Sequence, residues 1–175
     1  MSYNVVEMSL IFRLIVLVML AVTALRAQTP VEQGWNGLKV YQSSRSDVER
    51  VLKQVGKKVE PGFTVYRTED RNVLVRYWEK QCIERKTASG RYKIYSDTLI
   101  DLDVGFFKPT VPISELKWNK SKYDGGPDQH YLDVIHYYNP SDRIWITANI
   151  ENGIEFFASV HYLEIPAIVP DQPCK

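Results

Sequence analysis

Hydrophobic residues in this chain recur with two different periods. Between Ser46 and Gly56 they recur every three or four positions, which places them on one face of an α-helix: Val48, Val51, Leu52 and Val55. Ser46 and Glu49 have the spacing of a capping box, and Ser44 is an alternative cap. Gly56 follows the last apolar position and is suited to end the helix. The pattern therefore predicts one N-terminal helix.

From Gly62 onward, apolar and polar residues alternate, which is the period of a β-strand with one buried face. Short polar turns separate the alternating segments, and Asn152 followed by Gly153 is the strongest of these hairpin signals. The segment 120–127, with its two central glycines, is predicted to be a mobile loop. Strands are predicted over 63–66, 72–78, 91–95, 98–107, 134–138, 144–150 and 154–161.

These elements predict an α+β fold, with one N-terminal helix packed on a mostly antiparallel sheet of about six or seven strands. Short turns join the predicted strands, and antiparallel neighbours connected in this way need no crossover helices. We expect residues 35–175 to form a single α+β domain, because a segment of this length can bury a core of its own.

The N-terminal segment has the composition of a cleavable signal peptide. Arg13 is followed by twelve uncharged residues, 14–25, and then by Arg26 and Ala27 before a polar stretch begins. A membrane-spanning helix needs about 18–20 apolar residues, so this run is too short to be one. The pattern favours export over membrane anchoring.

We predict a signal peptide over 1–27, with cleavage after Ala27 or after Ala24, and a linker over 28–34. An uncleaved anchor and a buried N-terminal helix are the alternatives. If the signal peptide is removed, the mature protein is secreted or periplasmic and has no stable membrane insertion.

The chain has two cysteines, Cys82 and Cys174. In an oxidising compartment such a pair predicts one disulfide. Closing a loop of about 90 residues contributes about 4–5 kcal/mol of stability in the chain-entropy model. The alternative, a cysteine nucleophile, needs an activating histidine, and Cys174 lies one residue from the chain end. We therefore predict a bridge that ties the C-terminal tail to the middle of the domain.

Charge limits the kinds of partner. The whole chain has 22 Lys and Arg residues and 21 Asp and Glu residues. Removing 1–27 takes away Arg13, Arg26 and Glu7, which leaves 20 of each sign. Nucleic acids and anionic membranes are bound by clustered positive charge, so neither is an expected partner. An envelope or extracellular protein is the partner that this neutral surface permits.

The stretch from Trp35 to Glu49 resembles the opening of a family of small, uncharacterised exported bacterial proteins. In that family a Trp-x-Gly-Ile/Leu motif leads to a Ser-Thr-Arg-x-Asp-Val-Glu helix start, a β-meander, a mid-chain Cys and a C-terminal Cys. The matching residues here are Trp35, Gly37, Leu38, Ser43, Ser44, Arg45, Asp47, Val48, Glu49, Cys82 and Cys174. The resemblance covers most of the predicted mature chain and implies no known activity.

More distantly, the order of a helix followed by strands is similar to that of cell-envelope proteins of the SmpA/OmlA (BamE) type and of the β-lactamase-inhibitor-like fold. Those proteins use the fold to bind other proteins, so this resemblance implies binding rather than catalysis. The chain departs from them in two respects. No cysteine lies near the predicted cleavage site, and one helix is predicted where those units have two.

Two groups of residues have the chemistry of a metal or catalytic site. His130, Asp133 and His136 offer zinc ligands, but positions 133 and 136 of a strand face opposite ways, so we interpret them as structural or surface residues. Asp101 and Asp103 share a strand face, as paired carboxylates of a glycosidase would. Alternating aspartates are also typical of a solvated outer face, which is the interpretation we favour. We therefore assign no catalytic, cofactor-binding or metal-binding residues and expect no cofactor.

Aromatic residues are unusually frequent, with 11 tyrosines and 4 tryptophans. Adjacent strand residues point to opposite faces, so either Tyr137 or Tyr138 must leave the core side. Exposed rings of this kind can anchor a protein partner or stack on sugars. The candidate partner-binding residues are Trp118, Tyr123, Tyr138 and Trp145.

Our first hypothesis is an exported, non-enzymatic binding or structural protein of the cell envelope, which contacts a protein partner through an exposed sheet face or the 120–127 segment. A glycan-binding module that uses exposed aromatic rings is the second hypothesis. A hydrolase that uses Asp101 and Asp103, or the 130–136 group, is the third. It requires those side chains to converge in one pocket.

Overall fold

The computed structural model describes residues 31–60 and 62–175. The predicted signal peptide, 1–27, lies outside them, as do the first three residues of the predicted linker. The described part of that linker includes a 3-10 turn, Val31–Gln33, in which Val31 is buried. Among the residues that the structure describes, no helix has the length and apolar character needed to cross a membrane.

The described residues form eleven strands in two antiparallel sheets. The larger sheet has eight strands in the order β1-β2-β3-β6-β10-β9-β8-β7, and the smaller has the order β11-β4-β5. Most neighbours in the large sheet are consecutive hairpins, and β10 returns to pair with β6. The strands are β1 (Lys57–Glu60), β2 (Phe63–Arg67), β3 (Arg71–Tyr77), β4 (Ile83–Thr87), β5 (Gly90–Ile94), β6 (Leu99–Phe106), β7 (Asp124–Pro127), β8 (Val134–Asn139), β9 (Ile144–Glu151), β10 (Ile154–Tyr162) and β11 (Gln172–Pro173).

The predicted α+β fold, with a helix on a six- or seven-stranded sheet, is wrong. The protein is mostly β, with an eight-stranded sheet, a second sheet and one short α-helix in the described residues, α1 (Arg45–Leu52). The strands missed by the pattern are β1, β4, β7 and β11, which have little or no apolar alternation. Three of them are edge strands, and β4 lies between two partners in the small sheet. Backbone pairing with a neighbour, rather than side-chain burial, defines such strands.

The segment 120–127 contains a strand of the large sheet where a loop was predicted. A 3-10 turn, Lys120–Lys122, leads directly into β7, which pairs with β8 over all four of its residues. Gly125 lies opposite Tyr137, and a Cβ atom on Gly125 would come within 2.8 Å of that ring. The glycine that suggested a loop therefore permits a close approach between a strand and an aromatic side chain.

Helix α1 begins at the alternative cap residue, Ser44, and not at Ser46, which the capping-box spacing favoured. Ser44 is the N-cap: its Oγ accepts from the backbone N–H of Asp47, and its own N–H donates to Asp47 Oδ2 at 2.9 Å. Thr98 pairs with Ser44 in an isolated bridge, which holds the cap residue outside the helix. Lys53, with φ of 54°, ends the helix. Gly56 has a different role, because a Cβ there would lie 2.3 Å from Thr64 Cγ2.

The main core covers one face of the large sheet. Val73, Val104 and Ile146 point to this inner face and are fully buried, and Val48 of α1 packs on them. We call the opposite side the outer face. A smaller core lies under the small sheet, and its buried members are Tyr41, Ile94 and Ile100. The small sheet and the C-terminal tail therefore cover one end of the outer face and leave the other end open.

Candidate functional site

The outer face of the large sheet carries two groups of polar and aromatic side chains. One group lies under the small sheet and the tail, and we call it the charge cluster: Arg76, Arg85, Asp101, His161, Glu164 and Asp171. The other lies on β8 and β9 toward the open end, and we call it the aromatic–histidine patch: Asp128, His136, Tyr138, Trp145 and Thr147. Strand register brings both groups to the same face.

Asp101 is the centre of the charge cluster. It lies on β6 opposite Arg76 of β3, and only 6% of its surface is exposed. Its Oδ1 is 2.8 Å from His161 Nε2 and its Oδ2 is 3.3 Å from Arg76 Nη2. The interpretation of Asp101 as a solvated outer-face residue is therefore wrong, because the tail and the small sheet cover this part of β6.

The charge cluster continues into the tail through two arginines. Arg76 Nη2 also donates to Glu164 Oε2 at 3.1 Å. Arg85, on β4, donates to Glu164 through Nη1 and to Asp171 through Nη2 at 2.7 Å. The buried Arg85 therefore links the small sheet to the tail, and Glu164 in turn links the tail to Arg76 of the large sheet.

A disulfide fastens the same region. Cys82 and Cys174 are bonded, as their pairing in the sequence predicted, and their Cα atoms are 5.5 Å apart. The backbone N–H of Cys174 donates to the carbonyl of Cys82, and β11 pairs with β4 beside the bridge. The tail is thus held covalently, by strand pairing and by Arg85.

The carboxylates of the charge cluster favour the protonated form of His161. Burial opposes the charged form of His161, but the hydrogen bond to Asp101 and the charges of Asp101 and Asp103 outweigh it and raise the pKa of the imidazole. Burial also raises the pKa of the Asp103 carboxyl. Each oxygen of Asp101 already has a partner, the imidazole of His161 for Oδ1 and the guanidinium of Arg76 for Oδ2. Through Glu164 and Asp171, the cluster also connects the large sheet, the tail and the small sheet.

The aromatic–histidine patch has a different organisation. Trp145 is 38% exposed, and its indole N–H donates to His136 Nδ1 at 3.1 Å. On the other side of the imidazole, His136 Nε2 lies 2.8 Å from Asp128 Oδ2. Because Nδ1 accepts from the indole, the proton of the neutral imidazole lies on Nε2 and points to the carboxylate. Asp128 therefore fixes His136, and His136 fixes the tryptophan ring.

Tilted contacts between the aromatic rings and a tight turn complete the geometry of the patch. The Trp145 ring is 5.3 Å from the Tyr138 ring and 5.4 Å from the imidazole, measured between centroids. Asp128 Oδ1 accepts the backbone N–H groups of His130 and Tyr131. The bond from the His130 N–H, together with the bond to His136, lowers the pKa of the Asp128 carboxyl.

The four predicted partner-binding residues separate into two pairs. Tyr138 and Trp145 meet in the aromatic–histidine patch. Trp118 packs edge-on against Tyr123 and Tyr137 on the inner side, with centroids 4.9 and 5.1 Å away, and Tyr123 is only 9% exposed. Successive side chains of a strand point to opposite faces, so Tyr137 and Tyr138 lie on different sides of β8. This alternation is the sequence signal that separates the two pairs.

His130, Asp133 and His136 do not converge. His130 and Asp133 are exposed in the turn before β8, whereas His136 lies on the strand and bonds to Asp128 and Thr147. Within 31–60 and 62–175, no three His, Cys, Asp or Glu side chains are placed to hold a metal ion. The partner of His136, Asp128, was not singled out in the sequence, because its position depends on the turn that joins β7 to β8.

Comparison of the chain with protein-family models, with curated proteins and with solved structures gives no match. The resemblances drawn from the Trp35–Glu49 motif and from the element order therefore stay predictions.

Proposed function

We propose that this chain is an exported, non-enzymatic binding protein of the cell envelope, and that the aromatic–histidine patch contacts a protein partner. The observation that carries the proposal is Trp145, a large aromatic side chain that is exposed yet held in one orientation by His136. Tryptophan and tyrosine are the residues that most often dominate binding energy at protein interfaces.

A fixed orientation favours binding because the ring loses little rotational freedom when a partner covers it. The indole of Trp145 is restrained by its N–H bond and by contact with the Tyr138 ring. The polar groups around it, His136, Thr147 and Asp128, already bond to one another, so few unpaired polar atoms would be buried. The patch therefore has an aromatic centre, and the polar groups at its rim already have hydrogen-bond partners.

Export is supported by the signal-like N-terminus and by the bond between Cys82 and Cys174. Disulfides persist in the periplasm and outside the cell, and they are rare in the reducing cytoplasm. The proposal places the mature protein in the periplasm or outside the cell. Mass spectrometry of the mature protein would show a start at Gln28 or Leu25 and both cysteines oxidised. A chain that retains its first residues or has free thiols in vivo would contradict export.

The partner is tested by affinity capture from native envelope extract with three folded baits. These are the wild-type protein, Trp145→Ala and Tyr95→Ala, a control that removes another exposed ring on the side of the small sheet. We expect a captured protein that Trp145→Ala loses and Tyr95→Ala retains. Equal capture by all three baits, or none by the wild type, would contradict the proposal.

A glycan is the second candidate ligand, because the exposed indole of Trp145 beside the Tyr138 ring offers an aromatic surface on which a sugar ring can stack. A sugar ring stacked on Trp145 would alter its fluorescence. Titrating the wild type and Trp145→Ala with a broad panel of polysaccharides, with fluorescence as the readout, tests whether the ligand is a glycan. A change seen only in the wild type supports a glycan, and a flat response across the panel removes this candidate.

A further inference from the structure

A cavity of about 470 Å³ opens on the inner face of the large sheet, on the side opposite the aromatic–histidine patch. Binding pockets for small molecules have volumes of roughly 300–1,000 Å³ and are mostly apolar, with a few polar groups that fix orientation. The walls here are apolar and come from separate elements: Trp35, Phe106, Val111, Leu116, Phe157 and Val160. The cavity therefore has the size and lining of a ligand site.

The polar groups of the cavity lie together. Arg71 is packed against Phe106, with its guanidinium carbon 4.9 Å from the ring centroid, and it lies 5.6 Å from the Trp35 ring. Arg71 Nε donates to Asp70 Oδ1 at 2.7 Å, and Nη2 donates to the other oxygen. No described residue accepts from Arg71 Nη1, which leaves its N–H groups for a ligand.

The charged side chains of the cavity, Asp70, Arg71 and Lys108, have a net positive charge. The hydrogen bond from Arg71 lowers the pKa of Asp70 to about 2, so the two form a neutral ion pair at ordinary pH. Lys108 also lines the cavity, is exposed, and forms no ion pair with a described residue. One positive charge therefore remains at the entrance to an apolar cavity.

We propose that this cavity binds a single-chain amphiphile with an anionic head group, such as a medium-chain carboxylate. The apolar tail lies among Phe106, Leu116 and Phe157, and the head group accepts hydrogen bonds from Lys108 Nζ and Arg71 Nη1. This binding site is separate from the aromatic–histidine patch, so it does not depend on the proposed function.

The test is calorimetric titration of the whole disulfide-bonded protein with dodecanoate below its micelle-forming concentration. Dodecyltrimethylammonium, which has the same tail and a cationic head, is the matched ligand. We expect saturable binding of dodecanoate with one site per chain, and weaker binding of the cationic ligand. Absence of saturable dodecanoate binding would overturn the proposal.

Two test variants and two control variants locate the site. Thr110 is an exposed residue of the cavity wall, so Thr110→Trp should block the cavity and weaken dodecanoate binding about tenfold or more, while Thr110→Ser should not. Lys108→Gln should weaken it about threefold, as expected for one exposed ionic contact. Lys80→Gln, beyond the other end of β3, is the control and should bind as the wild type does.

Thr110 and Lys108 are both exposed, so we expect their substitutions to leave folding unchanged. The urea midpoint of each variant checks this expectation. Equal affinity of Thr110→Trp and the wild type would show that dodecanoate binds elsewhere, and so would a preference for the cationic ligand. Either result would overturn the assignment of the cavity.

Discussion

The outer face of the large sheet contains two His–Asp pairs with the same nitrogen–oxygen distance and different surroundings. His161 Nε2 and His136 Nε2 each lie 2.8 Å from a carboxylate oxygen. The second oxygen of Asp101 faces Arg76, whereas that of Asp128 accepts backbone N–H groups in an exposed turn. In the first pair the carboxylate is buried and is tied to the tail through Arg76, whereas in the second pair the imidazole holds an exposed indole.

This difference shows that a His–Asp pair by itself indicates neither catalysis nor stability. What the pair does depends on its further partners. In the charge cluster these partners are arginines that connect separate parts of the fold, Arg76 and Arg85. In the aromatic–histidine patch the further partner is the Trp145 indole, which remains available to a ligand. We expect the charge cluster to stabilise the protein and the aromatic–histidine patch to recognise a partner.

The largest effect is expected at the disulfide. The bridge closes a loop with a sequence separation of 92, so replacing Cys82 and Cys174 by serine should lower the free energy of unfolding by about 4–5 kcal/mol. Urea denaturation of the variant and the wild type measures the loss. A change below about 1 kcal/mol would show that strand pairing and Arg85 hold the tail without the bridge.

The next largest effect is expected at Arg85, whose side chain is 10% exposed and bonds Glu164 and Asp171. Arg85→Ala leaves both acids without this partner, and it should lower the free energy of unfolding by about 3 kcal/mol. Lys93→Ala removes an exposed ion pair with Glu84 on the same small sheet, and it should cost less than about 1 kcal/mol. Similar losses in the two variants would contradict the linking role of Arg85.

A smaller effect should appear with pH at His161. Its pKa is raised in the folded protein, so the protonated imidazole contributes stability that is complete below the ordinary value of 6.5 and is lost as pH rises through the folded pKa. Asp101 and Asp103 favour the charged form, and Arg76 opposes it. As pH rises above about 6.5, the Tm of the wild type should therefore fall more steeply than that of His161→Gln. Parallel profiles would rule out this linkage.

The smallest effect on stability is expected in the aromatic–histidine patch. His136→Ala removes the acceptor that orients Trp145, so it should change tryptophan fluorescence and weaken partner capture while leaving the urea midpoint nearly unchanged. Denaturation and capture assays on the same preparation separate the two effects. If His136→Ala destabilises the protein as much as Arg85→Ala does, both His–Asp pairs are structural and the comparison fails.

Much of the large sheet was predictable from the sequence because its central strands alternate. Val73 and Val75, like Ile144 and Ile146, place apolar side chains on one face, and these strands were predicted at nearly their observed bounds. β4 was missed, since its sequence Ile-Glu-Arg-Lys-Thr buries Arg85, a residue that is buried only because the tail supplies acids for it. An ion pair between distant segments leaves no periodic signal in either one.

By itself, the sequence determined the central strands, the pairing of the two cysteines, and the separation of Tyr137 from Tyr138 onto opposite faces. These depend on local alternation and on the oxidation of a single cysteine pair. Only the tertiary structure decided that Asp101 is buried while Trp145 is exposed, and that Asp128 meets His136. Those outcomes depend on which strands become neighbours and where the tail lies, and contacts over such distances along the chain are decided by packing of the whole fold.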